Sequence, residues 1–198
     1  YDEITSLGYS AFYGCKSLVE VTLSSKLKVL ASNLFGNCQG LKSITIPHGI
    51  TYLGNNAFSG CNSLLSVIMP ESITSTDHSV FENCTSLESM VLSPNLETIA
   101  YGMFRNCSSL KEVLIPEGIS MISSNVFENC SALTSLDLPE SVNRLGSMVF
   151  AGCNLSSLYI RGIIDSKWMD SNIFRDMGTQ TGLYVNPSEV EKFKAIYK

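Results

Sequence analysis

The sequence predicts a right-handed, curved solenoid with a parallel β-sheet along one face, and three observations carry that prediction. Phenylalanine recurs at one fixed interval of twenty-three, as Phe12, Phe35, Phe58, Phe81, Phe104, Phe127 and Phe150. Three places behind each stand Cys15, Cys38, Cys61, Cys84, Cys107, Cys130 and Cys153, so all seven cysteines share one phase of one repeat. Between them apolar residues alternate over a short stretch that closes, in four repeats, on a proline. A fixed period of this length marks a unit that cannot bury its own apolar face and must stack on its neighbours. Crossovers between parallel strands are overwhelmingly right-handed, which sets the expected hand.

Taken in chain order, the first residues already lie in phase: Ile4, Leu7 and Ala11 match Ile119, Ile122 and Val126. The chain thus opens in mid-repeat without a visible cap, which reads as a cut at its front. Counting from each cysteine, inward positions fall at +3 (Leu18, Leu41, Leu64, Leu87, Leu110, Leu133), +6 (Val21, Ile44, Val67, Met90, Val113, Leu136) and +8 (Leu23, Ile46, Met69, Leu92, Ile115, Leu138). The alternation at +6 and +8 is strand spacing. It predicts seven strands, near 20–23, 43–46, 66–69, 89–92, 112–115, 135–138 and 157–160. Pro47, Pro70, Pro116 and Pro139 follow at +9, where a residue that cannot donate to a ladder ends the strand.

Apolar residues at +12 (Leu27, Ile50, Ile73, Leu96, Ile119, Val142) and +15 (Leu30, Leu53, Ile99, Ile122, Leu145) suit an extended segment crossing to the far side. At +18, Ser10, Asn33, Asn56, Ser79 and Asn125 are expected to accept from the exposed N–H groups of a short helical turn. That turn carries Phe and Cys at i and i+3 on one buried face. After Cys153 the pattern loosens: Leu155 arrives one place early, Phe174 arrives one place late, and Met177 holds the place of an eighth cysteine. Residues 1–153 are therefore the regular repeats, and 154–198 are an irregular last coil and cap of the same domain. Gly182–Val185 reads as a last strand. Ser188-Glu189-Val190-Glu191 reads as a capping box opening a helix with Val190, Phe193, Ile196 and Tyr197 toward one side.

The bulk numbers narrow the function. With 44% hydrophobic and 16% charged residues the chain can bury a core, and a net charge of −5 without Lys/Arg clusters gives no footprint for nucleic acid or an acidic membrane. No apolar run long enough to span a bilayer and no basic-then-apolar leader is present, so nothing in this stretch inserts into a membrane or directs export. The cysteines match neither a zinc pattern nor a redox pair, and their shared phase with Phe and Leu reads as a buried, reduced ladder. Stacked coils would bring their α-carbons about 4.8 Å apart, within disulfide range. Parallel side-chain directions and an odd number weigh against pairing.

Candidate chemistry is sparse. His48 and His78 lie far apart in the chain at different phases, so no histidine metal pair and no local nucleophile and base are encoded, and no cofactor is called for. The one local anomaly is Ser75-Thr76-Asp77-His78, where Thr76 replaces the aliphatic residue at +15; an irregular solvated turn accounts for it better than a site does. Seven equivalent buried cysteines cannot all be activated nucleophiles. Asn83, Asn106, Asn129 and Asn154 open N-glycosylation sequons, which follow largely from the repeat's own Asn-Cys-Ser wording.

The unit F-x-x-C-x-x-L-x-x-[VI]-x-[IL]-P, as in Phe127-Glu-Asn-Cys130-Ser-Ala-Leu133-Thr-Ser-Leu136-Asp-Leu138-Pro139, resembles the BspA-like leucine-rich repeats from Ile4 to about Ile160. That resemblance implies a leucine-rich-repeat solenoid of secreted or surface-anchored proteins of bacteria and some protozoa, used as adhesins or binding scaffolds for protein or glycan ligands. It brings no catalytic residue. Strand alternation then names the face a ligand would meet, because +5 and +7 point outward when +6 and +8 point inward. Ile68, Val91 and Leu114 form an outward apolar strip, Ser66, Ser89 and Glu112 stand beside it, and Tyr159 offers an aromatic anchor. The alternative is a structural spacer without its own ligand, since aliphatic residues favour strands even where exposed. An enzyme has only the Asp77–His78 anomaly behind it.

Overall fold

The computed structural model describes residues 3–177 and 181–196 of the chain. The strands are β1 (Val29–Leu30), β2 (Tyr52–Leu53), β3 (Ser66–Ile68), β4 (Ser75–Thr76), β5 (Ser89–Val91), β6 (Thr98–Ile99), β7 (Glu112–Leu114), β8 (Met121–Ile122), β9 (Ser135–Leu138), β10 (Arg144–Leu145), β11 (Ser157–Ile160) and β12 (Gly182–Val185), followed by helix α1 (Val190–Ile196). All pairings are parallel, between strands of successive coils, as a stacked repeat requires.

The alternation at +5 to +8 forms β3, β5, β7 and β9 as expected, and β11 forms one place earlier in its coil, with Val67, Met90, Val113, Leu136 and Leu158 buried. The two expected strands at 20–23 and 43–46 do not form. Residues 43–46 keep the alternation, with Ile44 and Ile46 buried and Ser43 and Thr45 exposed. They make no ladder pairing, although coils on either side are linked just ahead of them by Lys42 N–H to Val19 O (3.0 Å) and Leu65 N–H to Lys42 O (3.3 Å). The crossing segment at +14 and +15, for its part, is more than a connection. It forms β1, β2, β4, β6, β8 and β10, a second ladder whose very short strands cannot announce themselves by periodicity.

The turn between the ladders corrects the expectation for position +18. Ser10, Asn33, Asn56, Ser79 and Asn125 sit in the left-handed region, with φ between 55 and 61°, and the segment they open consists of turns, not a helix. Their N–H groups reach the next coil, as in Asn33 N–H to Asn55 O at 2.8 Å, followed by Phe35 to Ala57 (2.8 Å) and Asn37 to Ser59 (2.7 Å). Asparagine and glycine dominate because few side chains tolerate this conformation. The residue before each cysteine is left-handed too: Gly14, Asn37, Gly60, Asn83, Asn106, Asn129 and Gly152. Of these, Asn83, Asn106 and Asn129 are linked amide to carbonyl along the stack at 2.9 Å per step.

Inside the turn two columns run the length of the coil. The phenylalanine rings from Phe12 to Phe174 stack face to face at 5.3 to 6.2 Å between centroids, each contact adding about 0.5–1.5 kcal/mol beyond burial. Each cysteine from Cys38 onward donates its thiol proton to the carbonyl of the phenylalanine that precedes the previous coil's cysteine, at 3.0 to 3.2 Å. Cysteine suits this place because it is small and apolar yet still a weak donor. All seven thiols are free; Cys15 is exposed and the other six are buried. Burial pushes the Cys61 and Cys153 thiols up to about 12, and those of Cys84, Cys107 and Cys130 well above their ordinary value.

The expected closing strand is β12, and α1 follows it. The cap is Asn186, whose side chain accepts from Ser188 N–H, with Pro187 opening a single 3-10 turn over Pro187–Glu189 ahead of α1; the capping box on Ser188 is not used, because the chain turns sooner, at Asn186. Phe193 is buried and tilts 53° onto Phe174, so the helix closes the phenylalanine column. The side chain of Ile196 and all of Tyr197, placed on the same face by the sequence, lie outside the described residues.

Candidate functional site

The register puts the strip where alternation predicts it. Ser66, Ser89 and Glu112 are paired across β3, β5 and β7, and so are Ile68, Val91 and Leu114. Ile68 is 70% and Leu114 61% exposed, with Val91 half-buried between them. Tyr159, 39% exposed, lies on β11, where it pairs with Asp137 on β9 and with Tyr184 on β12. It therefore belongs to a second patch, and its ring stacks on Tyr184 at 4.5 Å and 10°.

The two patches are separated by a seam. Strands β3, β5 and β7 form one sheet and β9, β11 and β12 another, with no ladder pairing between β7 and β9. A groove of about 410 Å³ occupies the seam, with Leu114 and Glu112 on one wall and Asp137, Tyr159 and Arg161 on the other. Arg161 donates from Nε to Asp137 Oδ1 (2.7 Å) and from Nη2 to Oδ2 (2.5 Å). That guanidinium holds the Asp137 carboxyl below the usual carboxylate range. Lys111 reaches back to Glu88 at 2.9 Å. A second opening of about 350 Å³ lies on the other side of the strip, lined by Ile44, Ile46, His48, Ser66 and Ile68.

Sequence reasoning thus finds six residues of the face and places Tyr159 correctly outward, but it misses the groove, its lining residues Arg161 and Glu117, and the stacking of Tyr184 on Tyr159. Tyr184 is within its reach, because Gly182–Val185 reads as a strand that can stack on β11. The seam carries no sequence signal, since positions +6 and +8 are aliphatic on both sides of it.

The Ser75–His78 stretch is built into the second ladder. Asp77 accepts from the Tyr52 hydroxyl (3.1 Å) and from His78 N–H (2.8 Å), and His78 Nε2 stands 3.8 Å from Asp77 Oδ1. This ladder also has a seam, between β4 and β6. There Thr76 leaves its buried hydroxyl without a partner, in a polar cleft with Ser75, Asn95, Glu97 and Thr98. Among the described residues no three His, Cys, Asp or Glu side chains gather as metal ligands, and no helix is long and apolar enough to cross a membrane.

Stacked coils, a strand ladder, and a fully buried column of Leu41, Leu64, Leu87, Leu110 and Leu133 define a leucine-rich-repeat solenoid. The model of the BspA-type leucine-rich repeat region matches residues 1–111 and 66–179 in six copies, and the chain belongs to that family, whose members are typically non-catalytic. Among solved structures, a leucine-rich repeat protein of Bacteroides ovatus matches with a TM-score of 0.73 at 22% identity, covering 93% of this chain and 56% of that one. The present chain thus spans a little over half of that protein. The T. pallidum leucine-rich repeat protein matches with a TM-score of 0.72 at 36% identity, covering 76% of this chain and 70% of its own. A leucine-rich cell surface protein of Faecalibacterium prausnitzii shares the fold at 19% identity, with a TM-score of 0.59 and coverage of 92% and 64%. No curated protein matches the sequence.

Proposed function

We propose that this chain is a non-catalytic binding module of a cell-surface or secreted protein, docking a protein or glycan ligand on the outward face of the β3–β5–β7 sheet. The observation that carries this reading is the aligned strip itself: Ile68 and Leu114 stay largely exposed on strands held in fixed register, with Val91 between them. A rigid apolar strip with serines and a carboxylate on its margin offers shape, apolar contact and hydrogen bonds at little ordering cost. The surface or secreted location rests on the family, and the Faecalibacterium protein of the same fold is a cell surface protein.

The test is the double variant Val91→Asp/Leu114→Asp. Both side chains point away from the core, so the far-ultraviolet spectrum and melting profile should stay near those of the parent, while binding to a ligand recovered from a glycan and protein array should be lost. Full affinity in the folded double variant would remove this face from consideration and leave the spacer reading, or the turns around Asp77 and His78, as the place to look.

A further inference from the structure

The seam groove narrows the ligand class, and this inference rests on the docking reading above. Five charged side chains line it: Lys111, Glu112, Glu117, Asp137 and Arg161. Lys111 is engaged by Glu88 and Arg161 by Asp137. Glu112 and Glu117 form no close ion pair among the described residues, and Glu117 feels Arg161 only at longer range, so three carboxylates face two cations in the groove beside the exposed Leu114. Its aromatic wall suits a side chain better than a sugar ring, because Tyr159 and Tyr184 cover one face of each other at 4.5 Å.

The distance along the face is the second constraint. From β3 to β11 there are four coil steps, about 19 Å at the usual spacing between strands. An extended chain covers that span in about six residues at roughly 3.3 Å each.

We propose that the occupant is an extended basic segment of a protein partner, about six or seven residues long by that spacing. Its apolar side chains lie on Ile68, Val91 and Leu114, and a lysine or arginine enters the seam between Glu112 and Glu117. A cation there meets two carboxylates that no close ion pair occupies, and an aliphatic stem meets Leu114 and the edge of Tyr159.

Three acetylated, amidated heptapeptides test this: Leu-Lys-Tyr-Lys-Leu-Lys-Val, and the same sequence with serine or with glutamate in place of lysine. Calorimetric titration of the intact chain should show the lysine peptide binding at least tenfold tighter than the other two. Glu112→Gln/Glu117→Gln should weaken the lysine peptide about three- to tenfold and flatten its salt dependence. Glu71→Gln/Glu97→Gln, which removes the same charge away from the groove, should not. Equal weakening by the two variants means bulk attraction to an acidic protein and overturns the proposal. If the serine peptide binds as well as the lysine peptide and only Val91→Asp/Leu114→Asp abolishes binding, the docking face stands and the basic ligand is wrong. If no peptide binds at millimolar concentration, the peptide proposal fails outright, and an array ligand still lost in that variant would keep the face.

Discussion

Replacing Leu110 and Lys111 one at a time separates the buried phase of the repeat from the exposed one. Leu110 has no solvent exposure and stands between Leu87 and Leu133 in the leucine column, held in place by its N–H bond to Cys107 O at 3.0 Å. Truncation to alanine removes three buried carbons in the middle of a stack that is covered on both sides. The cost is about 2–5 kcal/mol, with the upper half favoured because ladder bonds on both sides prevent collapse into the cavity. Lys111, the next residue, has a side chain 62% exposed, and its partner Glu88 is 54% exposed. An ion pair that open is worth at most about 1 kcal/mol, so Lys111→Ala should cost less than that. With a urea slope of about 3 kcal/mol/M, the midpoint should fall by about 0.7–1.7 M for Leu110→Ala and by less than about 0.3 M for Lys111→Ala. Urea melts followed by circular dichroism read both. Equal midpoints would refute the column assignment, and with it the inward and outward register that places Ile68 and Leu114 on the surface.

The thiols give an independent reading: native protein should show one titratable cysteine, Cys15, and all seven should react after denaturation without reductant, whereas two or more missing thiols would mean disulfides. Stability should also fall on the alkaline side. Because the folded thiols of Cys61 and Cys153 are pushed up to about 12 from 9.0, the folded state holds their protons more tightly. Their contribution is intact below about pH 8 and is lost as the pH climbs through 9 toward 12, approaching about 1.4 kcal/mol per thiol per pH unit. Chemical melts at pH 7, 8 and 10 should be alike for the first two and clearly weaker at the third, and Cys61→Ala should flatten the decline. Met148 occupies a left-handed position (φ 57°) that other coils give to Asn, Ser or Gly, so Met148→Asn should stabilise by about 0.5–1 kcal/mol and raise Tm by about 1–4 °C; a lower Tm would show that the packing of the methionine outweighs its backbone cost.

What is legible in the sequence is whatever the stack repeats. Phe, Cys and Leu recur because each must meet the same neighbour one coil away, ring on ring for Phe and thiol on a phenylalanine carbonyl for Cys, and a contact enforced in every coil becomes a period. The second ladder escapes because so short a strand has no alternation to read, and only Leu30, Leu53, Ile99, Ile122 and Leu145 hint at it. The asparagines draw attention for the wrong reason. Their side chains suggest caps, whereas the backbone uses their tolerance of positive φ to turn the chain and to aim N–H groups at the next coil. The strip at Ile68, Val91 and Leu114 follows from alternation alone, but the seam beside it does not, because a ladder is a relation between two coils and each coil's own residues look ordinary.

The seams decide where such a solenoid can recognise anything with its backbone. Along a continuous ladder every inward and sideways N–H and C=O is committed to a neighbouring coil, so only side chains face the solvent. Between β7 and β9, and again between β4 and β6, that commitment lapses. One opening is lined by Leu114, Tyr159 and three carboxylates against two cations, the other by hydroxyls, an amide and Glu97, with the unpartnered Thr76 hydroxyl at its wall. A buried hydroxyl without a partner costs about 1–3 kcal/mol, so the second opening favours water or another polar guest that answers it. Only the first combines exposed apolar area with an excess of carboxylates over cations, the pairing that selects one class of partner over solvent. The outward face at Leu114 therefore offers a partner more than an apolar strip, because the strip ends at an opening where carboxylates outnumber cations.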